Sequence, residues 1–311
     1  MEKREVLFTN KDLKKLIIPL IIEQLLTVTV GLADSIMISS VGEAAVSGVS
    51  LVDSIMILLI NMFSALATGG AVVAGQYLGQ KKHVMACKTA DQLILFISAL
   101  ALVIMAGIYA MRGFILHGVF GAIEPAVMHS AEVYLLIVTA SIPFLAVYNG
   151  CAALFRTMGN SKTAMQMSLF MNAINIIGNA ALIYGVGMGV EGAAIPTLVS
   201  RVIAAAVILV LLKNRNQAVH ISRNFHFKFK GFLVSRILKI GVPNGVENSM
   251  FQLGKILVLS LVAGFGTASI TANAVSNMVA MFEIIPGMAV GLAVLTVVSR
   301  CVGASDYEAA R

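Results

Sequence analysis

IIPLIIEQLLTVTVGLADSIMISSVGEAAVSGVSLVDSIMILLINMFSALATGGAVVAGQYLGQKK, residues 17 to 82, has a diverged second copy in this chain. A shift of 224 positions lays residues 241 to 306 on it without a gap. Pro19 then falls on Pro243, Glu23 on Glu247, Gly42 on Gly266, Ala44 on Ala268 and Gly79 on Gly303. The identities are few but hold one register. Each copy reads as two apolar helices joined by a tight glycine-containing turn. Such a repeat in an apolar chain predicts a membrane protein built from two related halves. Two copies of that period need about 448 residues, whereas this chain has 311. The expectation is therefore one complete half and the beginning of a second.

Composition supports lipid as part of the solvent. Hydrophobic residues make up 59% of the chain and charged residues 12%, against roughly half and a quarter in soluble domains. Eight apolar segments are long enough to cross about 30 Å of hydrocarbon. They lie at about 14–40, 45–78, 90–112, 126–156, 161–184, 192–212, 236–264 and 269–299. The predicted fold class is all-α integral membrane with eight transmembrane helices. One complete six-helix lobe over 1–212 is followed by a cytoplasmic amphipathic connection over 213–240. Residues 241–311 then give the first two helices of an incomplete C-terminal lobe.

The 22 basic residues orient the spans. Nearly all sit at the N-terminus, in alternate loops or near the end of the chain, for example Lys14, Lys81, Lys162, Lys213 and Arg300. Arg112 alone marks the other side, and Arg201 and Lys255 fall inside spans. Basic loops stay cytoplasmic, so both termini are expected inside a plasma or inner membrane. The same distribution accounts for the net charge of +7 without nucleic acid as a partner. No cleavable leader is read, because the first apolar run is too long and lacks a small-residue cleavage site.

The first span carries Glu23 and Asp34, eleven residues apart, which places them about 20° apart around a helix. An ionised carboxylate at bilayer depth costs about 2.5–3.5 kcal/mol and belongs against a bundle interior or wet cavity. Glu23 reads equally well as an interfacial residue. Asp53 on the second span has Asn277 as its repeat mate and reads as a polar structural position. On the fifth span Asn172, Asn175 and Asn179 recur on one face, with Ser168 a turn earlier. Interhelical hydrogen bonding explains them as well as a ligand site for a small cation or a protonated carboxyl does. In the second copy Lys255 replaces Gly31, Val258 replaces Asp34, and Glu283 stands where the first has Leu59. The halves have diverged in charge. No Walker A sequence, catalytic triad or metal-ligand spacing is present, so the chain reads as neither an enzyme nor an ATP-driven pump, with no cofactor beyond a coupling ion.

Gly31-Leu-Ala-Asp34-Ser-Ile-Met-Ile38, then Val41-Gly42-Glu-Ala-Ala-Val-Ser-Gly48, resembles the multidrug and toxic compound extrusion (MATE) family. Phe155-Arg-Thr-Met-Gly-Asn-Ser-Lys162, the stretch from Asn172 to Asn179 and Gly189-Val-Glu-Gly-Ala-Ala-Ile-Pro-Thr197 extend the resemblance over essentially the whole chain. It implies twelve helices in two lobes, and export of organic, usually cationic compounds in exchange for Na⁺ or H⁺ by alternating access. It also implies that Asp34 is the coupling carboxylate and that Asn175, Asn179 and Thr197 complete its ion site. Many relatives have Asp at the position of Asn179. Glu23, Asp53, Asn172, Glu247 and Glu283 remain further substrate or coupling candidates. A lipid-linked-precursor flippase of the related superfamily and a non-transporting fragment are the alternatives. The helices missing from the second lobe would have to come from another chain.

Overall fold

The computed structural model describes residues 8–119, 124–221, 229–263 and 267–310. They are almost wholly helical: α1 (Asn10–Ser39), α2 (Glu43–Gly79), α3 (His83–Ala110), α4 (Pro125–Thr139), α5 (Ile142–Thr157), α6 (Ser161–Ala180), α7 (Glu191–Leu212), α8 (Gly231–Ala263) and α9 (Thr267–Gly303). Single π-helical turns follow α3 and α6. The turn around Gly266 and residues 222–228 of the 213–240 connection lie outside the described residues.

Among these residues six helices are long and apolar enough to cross a membrane, and a seventh if α4 and α5 form one bent span. The eight spans expected are thus not all counted among the described residues. The span read at 126–156 is two helices bent by 50°. Pro143 lies in the first turn of α5 and has no N–H to return to α4. The Ser141 hydroxyl instead donates to the Val138 carbonyl (2.6 Å) at the bend. Helix α8 is not among these six, and several of its side chains lie outside the described residues.

The repeat is visible in backbone geometry. Helix α2 ends with hydrogen bonds from Gln80, Lys81 and Lys82 N–H to the carbonyls of Gln76, Leu78 and Tyr77. Helix α9 ends with bonds from Ala304, Ser305 and Asp306 to Arg300, Val302 and Cys301. Every donor and acceptor is displaced by the same 224 positions. Among the described residues the two non-glycine residues with positive φ, Lys81 (57°) and Ser305 (60°), are also repeat mates. Both copies thus stop with one C-capping motif that uses the left-handed region.

The two hairpins pack crosswise. Helix α1 lies mainly against α6 and α9, and α2 against α8 as well as α3, α4 and α5. Leu16 and Leu20 of α1 bury against Ala289 and Ala293 of α9. At the mated position in α2, Gly69 lies against Ile237 and Gly241 of α8. Helices α2 and α9 cross where a Cβ on Gly79 would strike the Arg300 carbonyl and one on Gly303 the Gln76 carbonyl. Gln76 and Arg300 are themselves mates, so this is a pseudo-two-fold contact of small residues that lets two backbones approach.

Gly79→Val and Gly303→Val should each separate these helices and destabilise the fold by about 1–3 kcal/mol, the usual cost of overpacking. Thermal unfolding in detergent checks this. Equal losses are expected from the two variants, because their contacts are equivalent.

Candidate functional site

Helix α6 starts from a locally encoded turn. Gly159 (φ 82°) follows the end of α5. Its N–H bonds the Arg156 carbonyl (2.8 Å), and Asn160 N–H bonds that of Phe155 (3.0 Å), closing a Schellman motif. The Asn160 side chain then caps α6 by accepting from Thr163 N–H (3.2 Å). This aims the Asn175–Asn179 face of α6 at α1 and α7.

The result is a polar junction of three helices. Asn179 Nδ2 donates to Asp34 Oδ1 (2.8 Å). Asn175 Nδ2 donates to Thr197 Oγ1 (3.0 Å), whose hydroxyl donates to the Ala193 carbonyl (2.9 Å). In the opposite amide orientation Asn175 donates to both Asp34 oxygens (3.0 and 3.3 Å) and accepts from Thr197 Oγ1 (3.0 Å). Only this second orientation satisfies both the amide N–H and the amide oxygen of Asn175. A bare carboxylate attracts the amide N–H groups. An amide oxygen 3.0 Å from a carboxylate oxygen is repulsive unless a proton or cation lies between them.

Asn175 and Asn179 are buried, and Asn179 Oδ1 has no partner. Carboxylate, amide and hydroxyl oxygens together form a hard donor set that fits a small cation.

The junction opens on a cavity of about 180 Å³ lined by Asp34, Asp53, Tyr134, Asn179, Thr197 and Arg201 among others. Tyr134 OH donates to Asp53 Oδ1 (3.3 Å). Arg201 Nη1 donates to Ser141 Oγ (2.7 Å), at the α4–α5 bend. Among the described residues no group of three or more His, Cys, Asp or Glu could hold a metal ion.

The other sequence candidates lie elsewhere. Glu23 faces the same side of α1 as Asp34 but about 16 Å along the axis, and pairs with Arg156 Nη2 of α5 (2.7 Å). Asn172 reaches only Ser168 Oγ (3.5 Å) and does not join the Asp34 junction. Glu247 and Glu283 are exposed on α8 and α9, and among the described residues neither closes an ion pair. The structure therefore gathers Asp34, Asp53, Asn179 and Thr197 around one cavity, with Asn175 bonded to Thr197 beside it. It separates Glu23, Asn172, Glu247 and Glu283 from them. Sequence reading gave no role to Arg201 or Tyr134. The signal for Arg201 was its position four residues after Thr197, on the same helical face; Tyr134 carried none.

The family model described as MatE matches residues 19–181 and 243–311. The chain belongs to the MATE family. The two matched stretches begin at the mates Pro19 and Pro243. Members of this family are membrane transporters and not enzymes. The chain is 28% identical over 297 residues to the uncharacterized transporter YisQ of Bacillus subtilis, covering 94% of this chain and 64% of YisQ. It is 24% identical to the probable multidrug resistance protein NorM of Thermotoga maritima, covering 99% of this chain and 66% of NorM. The chain thus spans about two thirds of these MATE relatives. Its fold matches a MATE transporter of the MOP superfamily solved in an outward-facing conformation, with a TM-score of 0.87 at 21% identity. That match covers 96% of this chain and 66% of the other.

Proposed function

We propose that this chain carries the ion-coupling part of a secondary antiporter that exports organic cations in exchange for Na⁺ or H⁺. The observation that carries the reading is the Asp34–Asn175–Asn179–Thr197 junction. It holds one carboxylate, a buried amide oxygen without a partner, and a second amide beside the Thr197 hydroxyl. Asp34 is the coupling residue. Asn179 contributes a neutral oxygen, so the junction itself carries a single negative charge and exchanges a single positive one.

The basic ends of the helices lie in the cytoplasm of a multi-pass cell-membrane protein, with both termini inside. The α2–α9 crossing is then the cytoplasmic closure, and the Asp34 cavity lies toward the opposite, outer end of α1. An antiporter of this design alternates access by rocking its two halves about such a crossing.

Expression of a protein carrying both halves in a pump-deficient, drug-sensitive strain tests the reading. Resistance to organic cations such as ethidium is expected, with efflux that stops when an ionophore dissipates the Na⁺ and H⁺ gradients. The 311-residue chain by itself should give none. Efflux that persists after both gradients are gone and stops only on ATP depletion would sink the proposal.

A further inference from the structure

We propose that Arg201 is a fixed counter-charge that sets the Asp34 cavity to take one monovalent cation and to refuse divalent ones. This rests on the cation-coupling reading of the same cavity and adds what decides its valence. Asp34 and Asp53 both line the cavity, and Arg201 lines it with them. Two carboxylates and one guanidinium leave one net negative charge.

The geometry keeps that guanidinium in place without cancelling it. Arg201 Nη1 is anchored on the neutral Ser141 hydroxyl (2.7 Å), which the Val138 carbonyl fixes in turn (2.6 Å). Among the described residues Arg201 closes no ion pair with either carboxylate. Its remaining N–H groups are not among the sealed, unpartnered polar atoms. The cation is therefore held beside the cavity by a hydroxyl, with its field directed across the space. Asp53 is held by the Tyr134 hydroxyl (3.3 Å) and Asp34 by Asn179 (2.8 Å), so all three charges stand fixed around one volume.

Without Arg201 the same walls would offer two carboxylates, the free and buried Asn179 Oδ1 and the Thr197 hydroxyl. Such an all-oxygen, doubly negative set suits a divalent ion. A unit charge across a cavity of this size changes cation affinity by on the order of tenfold or more. The alternative is that Arg201 only ties α7 to the α4–α5 bend. That role predicts lower stability on substitution and no new ion specificity.

The test uses the purified 311-residue chain in lipid nanodiscs with Mn²⁺ as an EPR probe and ²²Na⁺ as the monovalent probe. Arg201→Gln should bind Mn²⁺, attenuating the free six-line signal at concentrations where the unaltered chain does not. That binding should vanish when Asp34→Asn or Asp53→Asn is added. Arg201→Lys, which keeps the charge, should still exclude Mn²⁺. A folded Arg201→Gln protein that binds no Mn²⁺, or an unaltered chain that binds it in this cavity, overturns the proposal. Should Arg201→Gln not fold, Asp53→Asn tests the same charge balance with Arg201 in place. The cavity is then neutral, and ²²Na⁺ affinity should fall at least about tenfold; unchanged affinity overturns the proposal. Cation binding that survives Asp34→Asn contradicts instead the coupling role of Asp34.

Discussion

In a protein carrying both halves, replacing Asp34 by Asn should leave the protein in the membrane and abolish the proposed gradient-driven export. The substituted amide is nearly isosteric and keeps an oxygen for the Asn179 N–H group at 2.8 Å, so the three-helix junction should persist. What disappears is the charge that Asn175 and Asn179 contact directly. A hydrogen bond or ligand contact to a charged group contributes about 1.5–3 kcal/mol. Its loss corresponds to an affinity fall of about ten- to a hundredfold for the coupling cation. Ethidium efflux normalised to the amount of protein in the membrane measures this. Efflux at the original rate would remove Asp34 from the mechanism.

Breaking the Glu23–Arg156 pair should have the largest effect on stability, and it should spare ion binding. Glu23 is 5% exposed, and its partner reaches it from α5 at 2.7 Å. Neither Glu23 Oε2 nor Arg156 Nε has another partner. Removing one member therefore strands the other charge away from water, at a cost of about 3–5 kcal/mol. Arg156 also sits where α5 meets α9: its carbonyl accepts from Thr296 Oγ1 (3.4 Å), and Arg300 reaches the Met158 carbonyl (3.3 Å). Glu23→Ala or Arg156→Ala should lower the unfolding midpoint in a denaturing-detergent titration. Glu23→Leu combined with Arg156→Met should restore most of the loss, because two apolar groups leave no stranded charge. A double variant as unstable as the singles would show that the pair contributes more than its own charge balance.

These two carboxylates also show how far the sequence could be read. A hundred degrees per residue places Glu23 and Asp34 on one stripe of α1, and the structure keeps them there. Their divergent fates depend on residues 133 and 145 positions away, which no local pattern connects. Asn175 and Asn179 are a turn apart, so their common face was legible; that their amides meet Asp34 depends on the packing of α6 against α1. The repeat was legible for a stronger reason. The helices stop at the mated glycines Gly79 and Gly303, which the repeat register marks although the residues around them differ. The bend between α4 and α5 was not legible, because a proline inside a membrane span is compatible with either a continuous or a broken helix. Arg201 could have been placed on the Thr197 face of α7, but its anchor at Ser141 exists only because of that bend.

The most direct measurement uses proteoliposomes that contain a protein with both halves and no nucleotide. An organic cation is loaded on one side, and an opposing Na⁺ or H⁺ gradient is imposed. The account predicts flux of the organic cation up its own gradient, coupled to movement of one of these ions, and loss of both fluxes in the Asp34→Asn protein. Uphill flux that is indifferent to both ion gradients, or coupled flux that survives Asp34→Asn, would contradict it.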